Sequence, residues 1–307
     1  MTRWVAFALV ALAVLAVVLT LARATQSASS VGSGEQRSPR TTADPPDHGD
    51  ELREAAPERH DAGAERHDVD AERHDADAAK NRVDDLNDPD DLQSASDHRR
   101  NPRPDADLQS LSTGALLANV AVTHGALGAI VLVAAWAADV PATALGIDAA
   151  ANVGWPALGV GLGLGVALYA GNELLAANLE RVGVEYSEEL RGALGPDSIV
   201  GWIVLLAVVL PIIAVFEELL FRAALIGALS TGFGVSPWVL AAASSLAFGF
   251  GHGIQGPSGM IVTGMLGGVL AAAFVLTGSL LTVIVAHYLI NALEFVVHEG
   301  FGLEWAD

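Results

Sequence analysis

From Ile199 to Leu229 the chain runs for 31 residues on an apolar background broken only by Glu217, Glu218 and Arg222. As one helix this stretch would be about 46 Å long, against about 30 Å of hydrocarbon in a bilayer. It must tilt, protrude or bend, and Pro211 is the natural place for a bend. Five further apolar segments surround it, at 114–138, 154–179, 237–252, 259–276 and 280–297. A seventh, Trp4–Leu21, follows Arg3. Runs of this length read as membrane-spanning. The expected fold is all-α: a polytopic membrane helix bundle of about six core helices plus an N-terminal hydrophobic helix, multi-pass in the cell membrane.

Charge divides the chain differently. The whole sequence carries 36 acidic and 16 basic residues, for a net charge of −20. From Arg23 to Ser110 there are 12 basic against 22 acidic residues with almost no large apolar side chains; beyond, there are 3 against 14. Residues 25–110 cannot bury enough apolar surface to fold, so a disordered acidic linker is expected there. It holds a seven-residue repeat, Glu58-Arg59-His60-Asp61, Glu65-Arg66-His67-Asp68 and Glu72-Arg73-His74-Asp75. The repeat lacks the two apolar positions per seven that a coiled coil needs. A solvated charge run is the expected reading, rather than a metal site on His60, His67 and His74. The expected domains are an N-terminal signal-anchor or signal peptide at 1–24, the linker at 25–110 and a membrane domain at 111–307. The acidic balance argues against a nucleic-acid partner. Zero cysteine excludes disulfides, a thiol nucleophile and Cys-ligated metal. A single lysine among acidic loops resembles proteomes adapted to high salt.

Ionisable groups inside spans are costly and mark function by default. The third core segment carries Glu217, Glu218 and Arg222. Glu218 and Arg222, four apart with the acid first, are set for a helical ion pair. Phe248 and His252 end the fourth segment, and His287 and Asn291 share a face of the sixth. Glu217 lies 16 residues before the turn near Phe233 and His252 lies 16 after Ser236. Both therefore stand about 24 Å from that turn, with Asn291 at a depth of about 18 Å on the same side. One shared cavity is predicted, toward the Gly253–Ser258 loop. His124, Asn172, Glu173, Glu294 and His298 are further polar residues within spans that fit no pattern; Glu294 shares the face of Asn291.

The set Glu217-Glu218-x-x-x-Arg222, Phe248-x-x-x-His252 and His287-x-x-x-Asn291 resembles the three ordered motifs of the CPBP family of CAAX-prenyl-protease and bacteriocin-processing (abortive-infection) intramembrane proteases. The resemblance covers roughly residues 115–297, and no motif position departs from the pattern. It implies a helical membrane fold and peptide-bond hydrolysis in a water-filled cavity. Glu217 and His252 would activate water, and His287 and Asn291 would stabilise the oxyanion. Glu218, Arg222 and Phe248 would support them.

A carboxylate beside an imidazole in a dry site suits proton transfer, and paired donors suit an oxyanion. The family has been labelled metalloprotease, and zinc on Glu217, His252 and His287 would make an open catalytic site. However, the sequence contains no His-Glu-x-x-His, and the pair His298-Glu299 is followed by Gly-Phe-Gly. A metal-free glutamate mechanism is the expectation. The partners implied are the lipid bilayer and a membrane-associated protein or peptide substrate, prenylated or not. Two alternatives remain at this stage: a non-catalytic immunity or regulatory scaffold, and a proton-coupled transporter. No inverted repeat is evident among the segments, which weighs against many transporters.

Overall fold

The computed structural model describes residues 3–34, 112–147, 154–181 and 189–303. The Glu-Arg-His-Asp repeats and most of the expected linker lie outside the described residues. Those described form helices and turns, with no strand among them. Among the described residues six helices are long and apolar enough to cross a membrane: α1 (Trp4–Gly34), α2 (Thr113–Ala137), α3 (Trp155–Arg181), α5 (Ile199–Phe233), α7 (Gly256–Thr277) and α8 (Leu280–Gly300). Between them lie α4 (Glu189–Leu194) and α6 (Pro237–Gly251). The protein is a multi-pass membrane protein. Its outward faces carry large apolar residues such as Val122, Leu162, Ile203, Leu246 and Ile261, the surface that lipid requires.

α5 is the axis of the bundle. It packs against α2, α6 and α8 and touches α1 and α7. Its Leu205, Leu210, Phe216, Leu220, Phe221 and Ile226 are all buried. α1 joins this core through Phe7, Ala11 and Val14, one stripe at helical spacing. The Arg3 amide also donates to the Ala138 carbonyl at 2.9 Å. The helix runs on to Gly34. Thr25 and Ser27 there turn their hydroxyls back onto the carbonyls of Leu21 and Arg23, so both polar side chains are satisfied within the helix.

α5 is not uniformly α-helical. Ile199–Val204 is followed by a π-helical turn at Leu205–Val209, then α-helix over Leu210–Glu218, then π-helix over Leu219–Ala228. Pro211 has no N–H to give, so carbonyls in the preceding turn lose a donor. The Tyr288 hydroxyl of α8 donates to one of them, the Leu206 oxygen, at 3.1 Å. The change of helix type falls immediately before Pro211, where the sequence places a bend.

Packing between helices in lipid depends on close approach, because burial there gains nothing from water release. α3 presents Ala157, Gly161 and Gly165 to α8. A Cβ on Gly161 would fall 2.7 Å from the Thr282 oxygen, and one on Gly165 would fall 2.9 Å from Leu289 Cβ. Thr282 Oγ1 donates to the Ala157 carbonyl in the same row at 3.2 Å. α6 and α7 close on each other in the same way at Gly249, where a Cβ would lie 2.7 Å from the Met260 oxygen. Two left-handed glycines set the helix ends. Gly234 (φ 69°) stops α5 before α6, and Gly278 (φ 62°) stops α7 before α8.

Candidate active site

Glu217 and Glu218 close the α-helical part of α5. Neighbours on a helix point about 100° apart, which would send the two carboxylates to different partners. They share one instead. His287 Nδ1 lies 2.6 Å from Glu218 Oε1, and its Nε2 lies 3.5 Å from Glu217 Oε2. The imidazole of α8 bridges adjacent acids of α5.

Behind His287 the Glu218–Arg222 pair forms as its spacing predicts, with Arg222 Nη1 donating to Glu218 Oε1 at 2.7 Å. Arg222 Nη2 donates to the Gly267 carbonyl at 3.0 Å, and the guanidinium lies 4.7 Å from the Phe248 ring centre. Charge-assisted bonds and the cation–π contact offset the cost of burying this cation. A Cβ on Gly267 would fall 2.8 Å from Phe248 Cδ1, so this contact needs glycine. Phe248 also stands 4.6 Å from His252 and 5.9 Å from His287, centre to centre.

His252 caps the short helix α6, just before a 3-10 turn at Gly253–Gln255. Fifteen residues span only about 22 Å, so α6 stops short of a full crossing. Its last residue is left at depth, where irregular backbone is tolerated beside a cavity. His252 Nδ1 donates to the Phe248 carbonyl at 2.8 Å. That commits Nδ1 and leaves Nε2 as the nitrogen to meet a ligand.

Glu217, His252, His287 and Asn291, with Phe248, line one cavity of about 260 Å³. Its apolar walls include Leu210 and Ile213 of α5, Val262 and Leu266 of α7, and Ile290 of α8. Gln255 and Gly259 place it on the side of the 253–258 loop. Glu218 and Arg222 stand behind this lining and touch it through His287 and Phe248.

Two groups of residues in this region fitted no sequence pattern. Asn172, Arg191 and Glu294 line the same cavity. Asn172 donates to Glu294 Oε1 at 2.6 Å, and Arg191 donates to Glu294 Oε2 at 3.0 Å and to Glu299 Oε1 at 3.2 Å. Glu294 is therefore both a wall of the cavity and a tie between α3, α4 and α8. The second is His124 of α2, whose Nε2 stands 3.9 Å from Glu217 Oε1. A lone histidine with no partner at helical spacing gave no signal of this.

Zinc would require converging donors. Among the described residues, Glu173, Glu294 and His298 bring three ligating atoms within 4.8 Å of one another; Glu217, His252 and His287 do not. Arg191 already sits on Glu294 as a cation. The motif residues thus do not fit a zinc centre.

No curated protein and no solved structure matches the chain. Residues 199–293, which hold all three motifs, match the family model of the type II CAAX prenyl endopeptidase, Rce1-like, and this segment is thereby tied to the membrane-embedded protease family that its motifs resemble.

Proposed function

We propose that this protein is an intramembrane endopeptidase in which the Glu217 carboxylate activates water against a peptide bond held in the cavity. The observation that carries the reading is the convergence of Glu217, His252, His287 and Asn291 on one partly polar cavity within the helical bundle. Water gives a proton to Glu217 as its oxygen bonds to the carbonyl carbon. The resulting oxyanion is met by groups from α8, the Asn291 amide and the His287 imidazole. Collapse breaks the C–N bond, and the amine leaves with the proton returned from Glu217. His252 Nε2, its ring fixed by the bond to Phe248, is placed to steer the water or the leaving amine. Preorganised groups in a water-poor site are the main source of such rate enhancement.

The substrate is a membrane-associated protein or peptide, since the apolar walls favour an extended apolar segment over a soluble chain. The reading is tested with full-length protein in lipid nanodiscs and a quenched-fluorescent peptide library. Glu217→Gln keeps the shape but cannot accept the proton, so turnover should fall at least ~100-fold. Wild-type turnover in Glu217→Gln would refute the assignment.

A further inference from the structure

His124 belongs to no motif, yet two contacts fix its ring beside the turn that carries Glu217. Its Nδ1 bonds the Val120 carbonyl one turn back on α2 at 2.8 Å. The ring meets Phe216 edge-on, with centres 5.3 Å apart and planes at 83°. Phe216 directly precedes Glu217, so this packing sets the ring relative to the carboxylate. The remaining nitrogen, Nε2, then stands 3.9 Å from Glu217 Oε1.

The two oxygens of Glu217 are not equivalent. Oε2 is sealed from solvent, makes no hydrogen bond and lies on the His287 side. That leaves Oε1 as the oxygen at which water can be held. A neutral imidazole with its proton on Nδ1 offers an acceptor at Nε2. Nε2 and Oε1 are then two acceptors too far apart for a direct bond and in need of a donor between them. One water about 2.8 Å from each closes a triangle with an apex of about 90°, close to the angle between its own O–H bonds. Both hydrogens are then pinned, and the lone pairs face away from both acceptors.

We propose that His124 is a catalytic residue which, with Glu217 Oε1, orients the attacking water. The inference rests on the reading of Glu217 as the base. Glu217 takes the proton; His124 accepts the second hydrogen bond without taking that proton, and the hydroxide oxygen bonds to the carbonyl carbon.

The test uses full-length protein in nanodiscs with the same quenched-peptide library. His124→Phe keeps the ring and the edge contact with Phe216 but removes both nitrogens. The expected result is a kcat lower by ~100-fold, the usual worth of acid–base placement, with KM and melting temperature unchanged. His124→Gln, which returns an acceptor, should recover part of the loss. Wild-type kcat in His124→Phe would overturn the proposal. Equal losses in both variants, with a lowered melting temperature, would overturn it too and assign His124 to packing. If wild type shows no turnover that depends on Glu217, the protease reading fails first and this inference with it.

Discussion

Arg222 donates to Glu218 at 2.7 Å, and neither side chain has appreciable contact with solvent, at 1% and 0% exposure. Removing one partner of such a pair strands the other charge, which typically costs 3–5 kcal/mol. Glu218→Gln should therefore lower the melting temperature and the amount of protein inserted, through folding more than through chemistry. Arg222→Lys should do the same, because an ammonium cannot reach both Glu218 and the Gly267 carbonyl as the guanidinium fork does. Thermal melting in detergent measures both.

Asn291 is half-buried and lines the cavity one turn beyond His287. Asn291→Ala should leave abundance unchanged and reduce turnover ~100-fold, the usual worth of one oxyanion donor. Steady-state kinetics beside a melting curve separates this outcome from that of Glu218→Gln.

The close crossing of α3 and α8 positions His287 and Asn291, so it should be sensitive to single methyl groups. Gly161→Ala places a Cβ 2.7 Å from the Thr282 oxygen, which is backbone and cannot yield cheaply. A loss of about 1–3 kcal/mol is expected from overpacking, together with reduced turnover. Gly163→Ala, with open space around it, is the control and should be neutral. Comparing the melting temperatures of the two variants is sufficient.

Activity should survive exhaustive treatment with a strong chelator. Glu217, His252 and His287 do not bring three ligating atoms together. Activity lost to the chelator and restored in proportion to added zinc would contradict the metal-free mechanism.

The central constellation was legible because charge stands out in apolar helices. Glu217, Glu218, Arg222, His252 and His287 interrupt long hydrophobic runs, and equal residue counts from the Gly234 turn place two of them at one depth. The remainder was hidden for physical reasons. His124 reaches Glu217 from another helix, and its helical spacing reveals no partner. Arg191 meets Glu294 across more than a hundred residues, a contact that local pattern does not encode. The sharing of His287 by two adjacent acids was equally invisible, because the expectation of divergent directions treated each acid without its tertiary partner.

The π-helical turn at Leu205–Val209 has a consequence for how such a helix can change. Each i→i+5 bond takes up one more residue than the α-helical bond it replaces. Deleting one residue from this turn would let the helix close as ordinary α-helix while the segments on either side kept their relative orientation, because the wider turn is what takes up the extra residue. The α-helical stretch Leu210–Glu218 has no such slack: a deletion there, before Glu217, would turn the carboxylate about 100° away from the cavity while the Leu206 end stayed tied to Tyr288. Every motif letter would survive unchanged in both chains. In this architecture the place of a single-codon deletion decides between a working enzyme and an inert relative, a difference invisible to any comparison that reads only the motifs.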